Sequence, residues 1–458
     1  MHIAPLATFR VLFGGIMLIS ILRFMLNGWV YDMYIQPNFF FGYFGFEWVK
    51  PLEGDGMYVV FVLMAVASLL IMLGLFYRVA AVSFFLLFTY VELLDKTNYL
   101  NHYYFVSIVA FLMIWVPANR WFSLDVLRNP ALRQEMVPRW TVGLFRLQLG
   151  MVYFFAGVAK IQGEWLLRAM PLTIWLPAKA NMPLIGGLLK WKAAAYIFSW
   201  FGMLYDLTVP FLLSWKRTRF LAYFAVIGFH LMTYFLFQIG MFPFIMILCT
   251  LIFFPAEDHR RAVDWISGKF ARFSFAQSPS THSSTTTSST PFSRSNQIVL
   301  SILALHFFIQ ILLPFRYLLY KGDLFWHEQG FRFSWRVMLM EKAGYAIMHV
   351  RDPETGRSGE VTNGEYLTPN QEKMMATQPD MILQYAHFLE EDYQKQGIAN
   401  PEIYAEVYVT LNGSGSRPFT DARRDLTKEI EGFHQKDWVL PFEVGKKQTV
   451  EKAGGEGK

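Results

Sequence analysis

The chain has 458 residues, of which 54% are hydrophobic and only 17% charged, with a formal net charge of +6 at pH 7. Soluble proteins carry about 25% charged residues, so this composition excludes an ordinary soluble enzyme. The basic residues lie beside apolar runs, where they orient a chain in the bilayer, so nucleic-acid binding is not expected. The single cysteine, Cys249, excludes an intramolecular disulfide and a cysteine-based metal site.

Apolar runs of about 18–22 residues, the length that crosses a bilayer, fill the first two thirds of the chain. They predict about nine membrane-spanning helices. Lysine and arginine are more frequent in the loops on the side of the N-terminus, fourteen against six. This asymmetry predicts a cytoplasmic N-terminus, and an odd number of spans then places the C-terminal region outside. The predicted spans are residues 8–27, 57–77, 79–94, 103–118, 141–160, 193–214, 218–236, 240–255 and 298–318.

The predicted fold class is a polytopic α-helical membrane protein followed by a small, mainly β extracytoplasmic domain. Five segments follow from the composition along the chain. They are a transmembrane helical domain (1–258), a cytoplasmic segment (259–297), a final span (298–320), the mainly β domain (321–430) and a charged, disordered tail (431–458). The cytoplasmic segment contains a Ser/Thr-rich linker at residues 273–297.

The mainly β domain contains three recognisable patterns. "YAIMHVRDPETGRSGEV" predicts two strands joined by a polar turn at Gly356. "NQEKMMATQPDMILQYAHFLEEDYQKQG" has helical periodicity and ends at Gly397, a typical helix C-cap. "EIYAEVYVTLNG" alternates apolar and polar residues, which is typical of a half-buried strand.

Three ionisable residues fall in the predicted outer half of the bilayer: His102, Lys160 and His230. Charged groups inside a membrane cost several kcal/mol unless they are paired or hydrated, so they are candidates for function. Structural alternatives stay open at this point. Lys160 can extend to the headgroups, His102 can meet interfacial water, and His230 can bond a backbone carbonyl in the core. Asp95 can belong to a polar loop whose charges offset each other.

Five segments together resemble the vitamin K-dependent γ-glutamyl carboxylase family, in the short bacterial form that carries the horizontally transferred transmembrane domain. They occur in the order found in that family, and "AGVAK…W" and "DKT…NH" are specific as a pair. The segments are "DKTNYLNHYYF" (95–105), "VPRW" (137–140), "VYFFAGVAKIQGEW" (152–165), "FHLMTYFLFQIGMFPFIM" (229–246) and "FRFSWRVML" (331–339).

The resemblance implies an enzyme that uses reduced vitamin K (phylloquinol or menaquinol), O2 and CO2, without a metal. Quinol oxidation to the 2,3-epoxide would drive CO2 addition to the γ-carbon of glutamate in a protein or peptide. The catalytic lysine of the family matches Lys160, preceded here by Ala159, and a catalytic histidine matches His102. The matching supporting or substrate-binding residues are Asn101, His230, Phe242, Trp335, Met338 and Asp95.

The chemistry implied for Lys160 requires a free amine. A phenol loses its proton near pH 10, and a neutral lysine can accept that proton. The apolar "FFAGV" before Lys160 disfavours the charged ammonium form. His102 would serve the carbanion half of the reaction as an acid or base.

Two other functions remain open from the sequence. One is quinol epoxidation without carboxylation, and the other is a non-enzymatic transport or binding protein. We expect contact with the lipid bilayer, the quinol and a glutamate-containing protein. We also expect a bacterial inner-membrane location with the site and the C-terminal domain in the periplasm, or in the endoplasmic reticulum lumen of a eukaryote.

Overall fold

The structure is a computed structural model that describes residues 1–237, 239–269 and 294–442. It divides into two compact units. Unit 1 comprises Met1–Arg316, Arg332–Leu339 and Tyr366–Thr368, and unit 2 comprises the other segments after residue 316. Most of the predicted linker, residues 273–293, and the tail from residue 443 lie outside the described residues.

Unit 1 is helical. Its described residues form fifteen α-helices: α1 (Ala4–Leu26), α2 (Trp29–Tyr34), α3 (Gly56–Leu73), α4 (Tyr77–Leu94), α5 (Asn101–Trp115), α6 (Leu124–Arg128), α7 (Trp140–Ala159), α8 (Gly163–Arg168), α9 (Leu172–Trp175), α10 (Gly186–Leu189), α11 (Lys192–Ser214), α12 (Arg219–Phe237), α13 (Phe242–Thr250), α14 (Ala256–Lys269) and α15 (Arg294–Leu312).

Seven helical segments of the described chain are long and apolar enough to cross a bilayer: α1, α3, α4, α7, α11, α12 and Asn296–Leu319. They confirm a multi-pass membrane protein, but the number differs from the expected nine. The predicted span 103–118 is the 15-residue helix α5, shorter than the roughly 20 residues that a span needs. The predicted span 240–255 becomes α13 and a 3₁₀ turn, which bend by 114° into α14. Counting that bent pair as one span gives eight.

Arg10 is buried inside unit 1, within a predicted span. Its guanidinium donates hydrogen bonds to the carbonyl oxygens of Ile71 and Met72, at the end of α3, at 2.8 and 2.6 Å. It also donates to Ala118 at 3.2 Å and to Phe122. A cation that satisfies the free carbonyls at a helix C-terminus also suits the helix dipole. Arg10 therefore joins three chain segments. It was counted among the fourteen basic loop residues on the side of the N-terminus, and the structure shows that it does not lie in a loop.

Unit 2 is built on one four-stranded antiparallel sheet with strand order β2-β1-β3-β4. The central pair runs in register from Lys342 opposite Leu411 to Arg351 opposite Glu402. The described elements are α16 (Leu324–His327), β1 (Lys342–Arg351), β2 (Ser358–Glu360), α17 (Pro369–Met375), α18 (Pro379–Lys395), β3 (Glu402–Leu411) and β4 (Arg417–Pro418).

The sequence patterns of unit 2 are confirmed with one change. The turn between β1 and β2 contains Gly356 at φ +69°, and α18 ends just before Gly397 at φ +100°. Residues on β3 alternate between buried and half-buried positions. The predicted single helix is two helices, α17 and α18, because the chain is extended at Gln378 before Pro379.

The tail prediction is wrong for residues 431–442. Leu440 donates a backbone hydrogen bond to Phe419 at 2.9 Å, and Thr420 pairs with Val439. Trp438 is buried. Burial of this indole offsets the conformational entropy that an ordered segment loses, so residues 431–442 are an ordered part of unit 2.

Candidate functional site

Lys160 lies directly after the last residue of α7, where this helix meets α11. Its Nζ donates hydrogen bonds to Asp206 Oδ2 at 2.7 Å and to the Ala156 carbonyl oxygen at 3.2 Å. The side chains of Lys160 and Asp206 are only 8% and 6% exposed. The lysine therefore turns inward to a carboxylate and does not extend toward the surface.

One glycine makes room for this ion pair. A Cβ on Gly157 would lie 2.8 Å from the backbone nitrogen of Leu207, so only glycine allows α7 and α11 to approach this closely. A Cβ on Gly202 would lie 4.0 Å from Lys160 Cε, an ordinary contact distance, so that position does not require glycine. Small residues commonly bring membrane helices into close contact. The "AGVAK" motif therefore has a structural reason, since its glycine brings Asp206 within reach of Lys160.

Asp206 changes the chemistry expected for Lys160. The sequence predicted purely apolar surroundings, whereas the structure supplies a carboxylate. A buried ion pair recovers only part of the free energy lost on desolvation. Transfer of the proton from Nζ to the carboxylate would leave two neutral groups, which low-dielectric surroundings tolerate better than charges. Asp206 is therefore a local proton acceptor that can release the free amine.

His230 on α12 forms a second polar contact beside Lys160. Its Nε2 lies 3.0 Å from the hydroxyl oxygen of Tyr153 on α7, and that hydroxyl is 3.5 Å from Thr250 Oγ1. The Thr250 hydroxyl donates its one proton to the Met246 carbonyl oxygen, 2.7 Å away. His230 Nδ1 is buried and has no hydrogen-bond partner within the described chain. One ring nitrogen is thus fixed, and the other is left for a ligand.

Phe242 contacts both candidate histidines. Its ring centroid is 5.6 Å from that of His102, at the start of α5, and 5.8 Å from that of His230. His102 is buried. The two histidines are therefore arranged around one aromatic ring, although they come from helices far apart in the sequence.

Lys160, Asp206 and His230 line one cavity, which we call the Lys160 cavity. Its volume is about 100 Å³, whereas one water needs about 10–15 Å³. It therefore admits a small planar group. Across the described residues, no group of three or more His, Cys, Asp or Glu side chains is placed to hold a metal. Other lining residues are Tyr153, Ala156, Trp165, Leu172, Trp175, Phe229, Phe242, Met246, Val337 and Met338.

Met338 lines the Lys160 cavity and belongs to a loop that we call the 332–339 segment. Three non-glycine residues of this segment, Phe333, Trp335 and Met338, have φ between +54° and +62°. Each such residue costs about 1–3 kcal/mol, and such strain persists only where the surroundings enforce it. Asn101 Nδ2 donates to the Arg336 carbonyl oxygen at 3.0 Å. Asn101 thus positions the segment that carries Met338.

Trp335 and Asp95 do not line the Lys160 cavity. Trp335 stacks on Tyr104 with ring centroids 5.0 Å apart. Asp95 Oδ1 accepts hydrogen bonds from the backbone nitrogen and hydroxyl of Thr97, at 2.9 and 2.7 Å. These contacts stabilise the turn before α5, so Asp95 supports His102 from a distance.

The sequence interpretation missed Asp206 and Tyr153. A signal for Asp206 was present, because it is an acidic residue inside an apolar span and such residues are candidates for function by default. Tyr153 had no distinguishing signal among 22 tyrosines. Its importance follows only from the packing of α7 against α12.

A larger cavity of about 340 Å³ is lined in part by α4 and α5. It contains Glu92, which has neither an ion pair nor a hydrogen bond within the described residues. Its remaining lining includes Tyr43, Thr89, Tyr99, Tyr104, His306, Gln310 and Phe333. A buried carboxyl group without a charged partner favours its neutral form, in which Glu92 can donate a hydrogen bond to a ligand in this cavity.

A helical bundle of apolar spans with acid–base side chains around an internal cavity defines a membrane protein with a polar site. Residues 1–257 match the HTTM domain family. Residues 295–445 match the family described as vitamin K-dependent gamma-carboxylase, lumenal domain. The chain therefore belongs to the vitamin K-dependent γ-glutamyl carboxylase family. No solved structure matches the chain.

The burial of the Lys160–Asp206 pair predicts strong non-additivity in stability. Asp206→Leu and Lys160→Met should each lower the free energy of unfolding by about 3–5 kcal/mol, because each leaves one charge unpaired. The double variant should regain most of this loss. Thermal unfolding of the detergent-solubilised protein, followed by tryptophan fluorescence, measures the effect.

A matched control is the exposed pair of Arg168 and Glu164, 2.8 Å apart. Glu164→Leu should change stability by less than about 1 kcal/mol. Additive losses from Asp206→Leu and Lys160→Met would contradict a buried, coupled pair.

Proposed function

We propose that the protein is a vitamin K-dependent γ-glutamyl carboxylase. One quinol, one O2, one CO2 and one glutamyl residue would give one 2,3-epoxide, one γ-carboxyglutamyl residue and one water. The observation that supports this proposal best is the buried Lys160–Asp206 pair, which faces a cavity with a free histidine nitrogen.

The lining of the Lys160 cavity fits the ring of a quinol. Tyr153, Trp165 and Phe242 provide aromatic walls, and Lys160 and His230 provide polar atoms for oxygens on the ring. A few polar groups in an otherwise apolar cavity are typical of small-molecule sites. When bound, the quinol supplies the electrons that reduce O2 and so generates the strong base needed at the glutamate γ-carbon.

Lys160 is proposed to accept the phenolic proton at Nζ. It is free to do so once its own proton has moved to Asp206 Oδ2, 2.7 Å away. After the phenolic proton is transferred, Asp206 keeps the proton it received, and the negative charge of the quinolate balances the new ammonium group at Nζ. The ammonium and the quinolate form an ion pair, so no isolated charge arises in the bundle.

His230 is proposed to orient the quinol. If Tyr153 donates to Nε2, the neutral ring carries its proton on Nδ1. That N–H is buried without a partner inside the described residues, so an oxygen acceptor in the cavity would satisfy it. An unsatisfied buried donor costs about 1–3 kcal/mol, which quinol binding would recover.

His102 is proposed to act on the acceptor side. It does not line the Lys160 cavity but contacts Phe242, which does. A buried histidine one aromatic ring away from the proposed quinol site is suitably placed to serve a second reactant, the glutamyl group. Its neutral imidazole carries one donor and one acceptor nitrogen, which can pass a proton to or from the glutamyl group.

Epoxidation without carboxylation is the second candidate function. The Lys160–Asp206 pair supports it equally well, since that pair acts on the quinol and requires no acceptor. Purified protein incubated with reduced vitamin K, labelled bicarbonate and a glutamyl peptide separates the possibilities. Labelled peptide supports the carboxylase, epoxide alone supports the second candidate, and neither product favours a transport or binding protein.

Lys160→Arg should abolish epoxide formation almost as fully as Lys160→Ala. Arginine keeps the positive charge and the ion pair, but it stays protonated and cannot accept the phenolic proton. The measurement is epoxide formed by folded, membrane-inserted protein. A small primary amine added to Lys160→Ala should restore part of the activity. Near-wild-type epoxidation by Lys160→Arg would rule out the base assignment.

His102→Ala should reduce carboxylation by about 10²–10⁴-fold, the usual contribution of a general acid or base. Epoxide formation should fall much less, because quinol deprotonation is assigned to Lys160. Both products are measured in the same reaction. Equal loss of epoxide and carboxylated peptide would instead place His102 in the quinol site or in the structural core.

The active site and unit 2 are proposed to face the periplasm, or the lumen in a eukaryotic host. The match of residues 295–445 to a lumenal domain supports this orientation, whereas the loop-charge comparison assumed nine spans and does not carry over to seven or eight. Thr355→Cys lies in an exposed turn, and the native Cys249 is buried. The new cysteine should react with an impermeant thiol reagent in intact spheroplasts.

Lys216→Cys is the matched control, because it lies in the exposed turn between α11 and α12, on the proposed cytoplasmic side. It should be labelled only after lysis. The reverse pattern for the two variants would invert the proposed topology.

A further inference from the structure

A third cavity lies near the other end of α7, and we call it the basic cavity. Arg146 lies 14 residues before Lys160 on α7, which corresponds to about 21 Å along a helix. The volume of the basic cavity is about 480 Å³, within the range of small-molecule sites. Its lining residues are Met1, His2, Met136, Arg146, Arg219, Pro255, Ala256 and Glu257.

The two arginines are anchored by backbone carbonyls. Arg146 donates to the carbonyl oxygens of Ile252 and Phe254 at 2.9 and 3.2 Å. Arg219 donates to those of Leu213 and Ser214 at 2.8 and 3.3 Å. A guanidinium has five N–H donors, so each keeps donors available after these bonds. Their backbone contacts fix both groups at the cavity wall.

The two arginines, Arg146 and Arg219, form no ion pair within the described residues, and both line the same cavity. Glu257 is the one carboxylate among the lining residues, and it is exposed. Two guanidinium groups fixed around one cavity are typical of an anion-binding site, because a guanidinium can make two parallel hydrogen bonds to a phosphate group.

The surroundings of the basic cavity are those of a membrane surface. Leu147, next to Arg146, is 51% exposed, and Phe220, next to Arg219, is 65% exposed. Helix α14 leaves α13 at 114° and exposes Trp265. Its acidic residues Glu257, Asp258 and Asp264 offset its basic residues, so its exposed tryptophan, and not a net charge, is the feature typical of a segment lying in the interface.

We infer that the basic cavity binds the anionic headgroup of a membrane phospholipid. The phosphate diester accepts hydrogen bonds from Arg146 and Arg219, and the acyl chains lie along the exposed apolar residues Leu147 and Phe220. Basic pockets between membrane helices bind acidic headgroups in this way. This inference is independent of the proposed reaction at the other end of α7.

Native mass spectrometry of the full-length, detergent-solubilised protein tests the inference. Titration with phosphatidylglycerol should give tighter binding than titration with phosphatidylcholine that has the same acyl chains. Arg146→Gln and Arg219→Gln should each weaken phosphatidylglycerol binding about fivefold, the effect expected for one basic residue near an anionic lipid. Arg217→Gln, in the exposed turn before α12, should leave it unchanged.

Glu257→Gln keeps the test decisive if an arginine variant does not fold. It removes the one acidic lining group and should strengthen phosphatidylglycerol binding without disturbing the arginine contacts. Equal binding of the two lipids to the wild type would overturn the inference. Displacement of phosphatidylglycerol by inorganic phosphate at the same concentration would also overturn it, since the ligand would then be a soluble anion.

Discussion

The ion pair between Lys160 and Asp206 is the constraint on which the arrangement of this bundle depends. An unpaired charge among apolar helices costs several kcal/mol, so the two helices that carry the pair must meet at one fixed register. Gly157 allows this contact, because any larger residue would collide with Leu207. The apolar window of α7 is 67% buried, against 17% for Asn296–Leu319. The charge therefore lies on the span that its neighbours cover best.

The same helix organises the rest of the bundle through its polar side chains. Each of four polar residues on or directly after α7 bonds a different partner element, so α7 is held in one rotation. Interhelical hydrogen bonds in membranes contribute about 0.6–2 kcal/mol each, and together they resist rotation or sliding. The pairs are Arg146 with the turn after α13, Gln148 with His306 on α15, Tyr153 with His230 on α12, and Lys160 with Asp206 on α11.

The sequence was informative where function depends on local motifs and less so where it depends on packing. Lys160, His230, Phe242 and Met338 were identified from motifs, and all four line one cavity. Asp206 was missed because it lies 46 residues from Lys160, and only the register of two helices brings them together. Composition likewise predicted apolar helices well, but it did not reveal that α5 is too short to span.

Backbone strain was equally inaccessible to the sequence. Phe333, Trp335 and Met338 adopt a left-handed conformation that only about a few per cent of non-glycine residues show. No residue type there signals it. The contact from Asn101 to the Arg336 carbonyl oxygen helps to hold that segment, and such a contact depends on chain regions 235 residues apart.

A lysine base paired with a carboxylate has an advantage over a lysine in purely apolar surroundings. An isolated buried amine would be neutral and could accept a proton, but the ammonium it formed would then be unpaired in a low-dielectric site. A lysine held permanently in an ion pair would have the opposite problem, since it could not become neutral. With Asp206 at hydrogen-bond distance, the neutral pair and the charged pair differ by the position of one proton. Under the proposed mechanism, the neutral pair accepts the phenolic proton at Nζ, and it returns to its starting state once this additional proton is released to water.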